Sequence, residues 1–234
     1  MFRLMKIEWQ RNNLTGYCIR AVVCMIVIFG MVAGMAVLSN AQGEPMFSDF
    51  TAYMSLANIF IRVTFAVFSG IILSRLIIEE YRNKTIQLLF SYPLQRKKVI
   101  QSKLFIVLGF CFTNIVVSTF FIEVLTVLLN PTFHFFELTA SKEDVTATFP
   151  SLLITAVMTA GLSLIPLSFG MRKQSTATTI TSSVIIGILL NATVSDGSGS
   201  VSVFQFIGVP ILFCLLGLAV AYLSYHKIDS KDVA

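Results

Sequence analysis

The sequence predicts an all-α protein that crosses a membrane six times, with both termini on the inner side. Three observations carry that reading. First, 56% of the 234 residues are hydrophobic and only 12% are charged, with a mean hydropathy of +0.82. That leaves too little polar surface for a water-soluble domain of this size. Second, apolar runs recur at the length of about 20 residues that a helix needs to cross hydrocarbon. No water reaches the backbone there, and a helix satisfies its own polar groups within one segment. Third, the basic residues are one-sided. If the runs alternate in direction, all 17 Lys and Arg residues except Arg62 and Lys142 gather on one face, and such an excess marks the cytosolic side. The net charge of +5 is thus placed against a membrane, which speaks against nucleic acid as a partner.

The elements follow in order along one transmembrane domain, residues 1–234. Residues 1–17 read as a cytosolic interfacial segment, because Phe2, Met5 and Trp9 recur at helical spacing beside Arg3, Lys6 and Arg11. The first span covers 18–38. It exceeds the roughly 7–15 apolar residues of a signal peptide, so the Ser39-Asn40-Ala41 sequence behind it is not read as a cleavage site. Further spans cover 54–78, 99–129, 151–169, 175–193 and 203–225. The outer loops carry acids: Glu44, Asp49, Glu137, Glu143, Asp144 and Asp196. The outer loop 130–150 is rich in aromatics (Phe133, Phe135, Phe136, Phe149), which are expected to rest at the membrane interface. Residues 192–200, ATVSDGSGS, read as a flexible connector. Cys18, Cys24, Cys111 and Cys214 lie in or beside apolar runs without Cys-x-x-Cys or Cys/His spacing, so no metal site is expected.

Between the second and third spans lies EEYRNKTIQLLFSYPLQRKK, residues 79–98, an island dense in charge. Its Leu88-Leu89-Phe90 core is too short to span anything, and Pro93 ends any helix there. Arg96, Lys97 and Lys98 face anionic headgroups as the third span begins. From Glu80 the island reads E-x-x-x-K-T-I-Q-L-L-F-S-Y-P-L-Q-R. This resembles the cytosolic coupling segment of the ABC-2 family of exporter permeases, which reads acidic-x-x-x-Gly-Thr-Leu-Glu-Leu-Leu, then Pro and Arg. Glu80, Thr85, Leu88, Leu89, Pro93 and Arg96 match that pattern, with Glu79 beside them. Lys84 stands where Gly is usual and Gln87 where Glu is usual. The six-span layout with both termini inside extends the resemblance over the whole chain.

The resemblance implies a permease domain in the bacterial plasma membrane. It implies a second permease subunit, identical or similar, and two copies of an ATP-binding subunit. The coupling helix would sit in a groove on the ATPase, whose closure drives alternating access. ATP and Mg are then implied on that partner. This chain has no G-x-x-x-x-G-K-[ST] phosphate loop, so no cofactor, metal or catalytic residue is assigned to it. The late inner loop, GMRKQS, is too short for the E-A-A-x-x-x-G loop of importers, which favours export. Substrates of similar permeases include peptides, bacteriocins and antibiotics, and the apolar spans suit a hydrophobic or amphipathic one. Two other classes compete: a membrane immunity or scaffold protein without ATP coupling, and a secondary carrier. Carriers use broken helices and ionisable relays near the midplane, of which the sequence offers only Arg62 and Glu123.

Arg62 is placed about 12 Å and Glu123 about 9 Å from the outer ends of their spans. A charge at a helix centre disfavours insertion by about 2.5–3.5 kcal/mol, so the two are expected to form an ion pair or line a polar cavity. Gly30 and Gly34 form a G-x-x-x-G pattern that admits close helix approach. Thr176, Thr179, Ser183 and Gly187 make a small, hydroxyl-rich stripe on the fifth span. In the ABC-2 family the first and fifth spans meet the partner permease, so both patterns are expected at a subunit seam.

Overall fold

The computed structural model describes residues 2–42, 47, 49–82, 96–133, 135, 142–173, 175–191, 193–196, 199–202 and 208–226. The N-terminal helix α1 (Phe2–Arg11) ends at an Asn12-Asn13 turn, where Asn13 takes φ 48°. Asparagine tolerates this left-handed conformation better than most residues. The chain then turns into α2 (Leu14–Ala41), so the first long helix starts four residues before the expected span. One face of α2 is buried through Leu14, Tyr17, Ala21, Met25, Ile28, Val32 and Ala36. The opposite face exposes Ile19, Val23, Ile26, Val27 and Met31. An exposed apolar stripe of this extent suits lipid or another apolar helix rather than water.

Helix α3 (Phe50–Leu73) runs on through a π-helical turn, Ser74–Ile78, into the short α4 (Glu79–Arg82). The next described helix, α5 (Arg96–Phe133), has 38 residues, about 57 Å at 1.5 Å per residue, longer than a 30 Å hydrocarbon core. The fourth span is two helices, α6 (Lys142–Leu162) and α7 (Pro166–Lys173). Pro166 causes the interruption, because it lacks an N–H and its ring clashes with the carbonyl four residues back. The turn is tight: Leu164 N–H donates to Gly161 O at 3.2 Å and Ile165 N–H to Leu162 O at 3.0 Å. Ala160 O, which loses its helical donor there, accepts from Ser163 Oγ at 2.7 Å. Helix α8 (Thr176–Leu190) starts at Ser175, whose Oγ accepts from Thr178 N–H at 3.4 Å. Last comes α9 (Gly208–His226).

Four helical stretches among the described residues are long and apolar enough to cross a membrane: Leu14–Ala41, Phe50–Ile78, Val99–Phe133 and Leu152–Lys173. Thr176–Leu189 is apolar but shorter. The expected flexible connector is instead an antiparallel hairpin of β1 (Thr193–Asp196) and β2 (Gly199–Ser202), pairing Thr193 with Ser202 and Asp196 with Gly199. Alternating Thr/Val/Ser residues favour that pairing over a coil.

Helix α3 is the central element. It packs against α5 on one side and α8 on another, and Tyr53, Ala57, Ile61 and Phe65 are fully buried. Gly70, Gly161, Gly170 and Gly217 each sit where a Cβ would overlap a neighbour. A Cβ on Gly70 of α3 would overlap Ser183 Oγ of α8, and one on Gly217 of α9 would overlap the Gly161 carbonyl of α6. Phe135 closes the outer end of the bundle. Expected at the membrane interface, it is 2% exposed, lying 5.8 Å from the Tyr53 ring and 6.4 Å from Phe29. Phe133, half exposed, stacks on it at 5.7 Å.

Candidate functional site

The inner end of the bundle holds the root of the charged island, and four charged side chains from three elements meet there. Glu79 and Glu80 open α4 directly after the π turn, a helix distortion often found at functional positions. Glu80 binds both Arg11 of α1 and Lys103 of α5. Arg11 also reaches Glu8 at 3.2 Å, and Lys103 lies 3.9 Å from Glu8. Asn12 Nδ2 donates to the Glu8 carboxylate at 3.1 Å. Lys103 is only 2% exposed, and its ammonium also donates to the Leu76 carbonyl in the π turn at 3.0 Å. Two acids and two bases thus neutralise one another in a largely buried setting, which is what makes burial of charge tolerable.

A second tie lies beside this cluster. Arg75 of the π turn donates to the Tyr17 hydroxyl of α2 at 2.9 Å. Arg20 lies over the same ring, 4.5 Å from its centroid, a favourable cation–π contact. The end of α3 is therefore tied to α1, α2 and α5 just before the chain enters the island.

Among the expected coupling residues, the structure places Glu79 and Glu80. Thr85, Gln87, Leu88, Leu89 and Pro93 lie outside the described residues. Arg96 is the first residue of α5. Sequence reasoning did not single out Glu8, Arg11 or Lys103 as partners of Glu80. Their signal was nonetheless present: Lys103 stands two turns into α5, at the start of its long apolar run, and Glu8 is the one acid among the bases of residues 1–17. An ionisable residue in a membrane helix calls for a partner.

Arg62 lines a small cavity of about 10 Å³ whose walls are mostly apolar, with Thr159, Ser163, Ser183 and Asn191 among them, room for about one water molecule. The cavity abuts the α6–α7 interruption. Glu123 is 3% exposed on α5, one turn beyond Thr119, which hydrogen-bonds Asn58 at 3.4 Å. Cys111 meets the Phe65 carbonyl further inward. In that antiparallel register Glu123 stands level with Met54, about two helical turns outward of Arg62. Their expected match in depth is corrected accordingly. Both side chains lean toward the N-terminus of their own helix, which tilts them toward one another.

The two expected seam patterns separate. A Cβ on Gly30 or Gly34 would meet nothing within 4 Å, so that stretch of α2 is open. Thr179 and Ser183 are 0% and 1% exposed and pack on Gly170 and Gly70, while a Cβ added at Gly187 would lie 3.7 Å from Val63 and Ala66. That stripe is covered by the chain's own helices and forms an internal seam, not one between subunits. Thr176 is half-buried at the start of α8.

Comparison with known proteins places the chain in a family. The chain is 30% identical to the Bacillus subtilis (strain 168) "Uncharacterized protein YcbO" over 229 residues, 98% of this chain and 99% of that one. No solved structure matches it significantly. Residues 4–191 match the profile of the family described as "ABC-2 family transporter protein". With a match over most of its length and apolar helices able to cross a bilayer, this chain belongs to the ABC-2 transporter family and is a membrane protein.

Proposed function

We propose that the chain is the permease subunit of a bacterial ABC exporter, built from six spans with both termini in the cytosol. A separate ATP-binding subunit, present in two copies, docks on residues 79–98 and supplies the energy. A second permease subunit completes the translocation path. The cargo class is a hydrophobic or amphipathic molecule, such as a peptide, bacteriocin or antibiotic. The single observation that carries this reading is the seating of Glu80. The first acid of the family-like motif is gripped by α1 and α5 together, so a push on the segment behind it reaches the bundle through several elements.

The test is co-purification. An ABC ATP-binding subunit from the same organism, expressed with the chain, is expected to copurify from membranes. Changing Leu88 and Leu89 to Asp is expected to abolish recovery while leaving permease levels intact. Full recovery with the double variant would refute docking at this segment. An interrupted fourth span beside Arg62 is also a feature of ion-coupled carriers. Export that persists after ATPase deletion and collapses with the proton gradient would favour that class instead.

A further inference from the structure

We propose that the groove between α1, α2 and the inner half of α5 is a binding site for one anionic phospholipid of the inner leaflet. Its volume is about 450 Å³, and its walls include Met5, Trp9, Cys18, Phe105, Gly109 and Val117. This is within the roughly 300–1,000 Å³ of small-molecule sites. Along α5 the wall runs from Phe105 to Val117, about 18 Å of helix rise, against about 15 Å for half of a 30 Å hydrocarbon core. The groove is therefore about as long as one acyl chain.

The chemistry of the walls selects hydrocarbon. The polar residues within it, Thr113 and Asn114, turn their donors back on their own helix, to Gly109 O and, at 2.8 Å, to Phe110 O. Little polarity is left for a hydrophilic ligand. The mouth has the opposite character. Trp9 is there, an amphipathic ring suited to the headgroup level. In sequence, α1 carries Arg3 and Lys6 besides the ion-paired Arg11, and α5 begins with Arg96, Lys97 and Lys98. Basic residues at that level attract an anionic headgroup. Met5 and Trp9 flank Glu8 in sequence on the helix that joins the Glu80 cluster, so an occupant of the groove would brace the same helix that holds the coupling root.

Native mass spectrometry of the purified, delipidated chain titrated with phosphatidylglycerol or phosphatidylcholine tests this. One phosphatidylglycerol is expected to be retained, with at least about fivefold preference over phosphatidylcholine. A Cβ at Gly109 meets nothing within 4 Å, so Gly109→Phe fills the groove without crowding the core. It is expected to weaken retention at least about tenfold, as loss of an enclosed apolar site implies. Leu153→Phe, on the exposed face of α6, is expected to leave retention unchanged. Phosphatidylglycerol should also raise the melting temperature of the wild type but not of Gly109→Phe. If Gly109→Phe does not fold, Phe105→Ala on the exposed groove wall should weaken retention in its place. Equal retention of the two lipids, or retention unchanged by the groove variants, would overturn the site and leave ordinary annular lipid. Loss of self-association in Gly109→Phe, without loss of lipid, would assign the groove to a second copy of the chain instead.

Discussion

Lys103 shows what a single residue contributes at the inner end. Its 2% exposure means that nearly all of its hydration is gone, and Glu80, Glu8 and the Leu76 carbonyl replace it. Removing one partner from a buried ion cluster strands the others and destabilises by about 3–5 kcal/mol. Lys103→Met is therefore expected to lower the melting temperature of the purified chain sharply. Arg11 is 41% exposed, and solvent screens its pairs, so Arg11→Ala is expected to cost no more than about 1 kcal/mol. Equal melting shifts for the two variants would contradict the burial argument. Glu80 was legible because the motif around it is local. Its partners were not, because Arg11 is 69 residues away and Lys103 is 23. In sequence these bases are indistinguishable from the rest of the inward-facing charge.

At the scale of helices, close approach is set by residues without side chains. Gly70→Ala would drive a methyl into Ser183, and overpacking of this kind destabilises by about 1–3 kcal/mol. Gly217→Ala meets a backbone carbonyl, which has less freedom to move than a serine side chain, so it is expected to lower the melting temperature further. Gly30→Ala has open space around it and is expected to leave the isolated chain's stability unchanged. On the proposed function, the same opening makes α2 the element available to a second permease. Gly34→Cys, in a background with the native cysteines changed to alanine, is expected to form a disulfide-linked dimer in oxidised membranes, whereas Ser183→Cys, buried against α3, is expected to stay monomeric. The reverse pattern would place the subunit seam on α8. For Arg62 and Glu123, the expected pair makes a separate prediction. Exchanging the two residues should restore the stability that Arg62→Glu or Glu123→Arg loses alone, and a double variant no better than the singles would end it. The stripe on α8 was visible as a pattern, but a pattern of small residues does not say which helix lies against it.

For the whole molecule, sidedness is the property most open to direct test. With Cys18, Cys24, Cys111 and Cys214 changed to alanine, a membrane-impermeant maleimide added to intact cells is expected to label Lys142→Cys and to leave Lys173→Cys unlabelled until the cells are broken. Labelling of both, or of Lys173→Cys alone, would invert or break the proposed topology. The same arrangement accounts for the exposed apolar rows on α2, α5 and α9, since a helix bundle in lipid has no reason to turn its apolar residues inward only.

Hydropathy and charge add up locally along the chain, so the sequence alone determined that this is a membrane protein, where its apolar helices run and which residues form its charged island. Lipid imposes that much segment by segment, through the requirement that each stretch of backbone satisfy itself. Only the tertiary structure decided that Glu80 is clasped between the first helix and α5, that the fourth span is interrupted, that Glu123 stands two turns from Arg62, and that the Thr179–Ser183 stripe faces inward. Those facts depend on which surfaces meet. In a bilayer the choice rests on shape and on pairing of scarce polar groups rather than on hydrophobicity, and neither is written in any one segment.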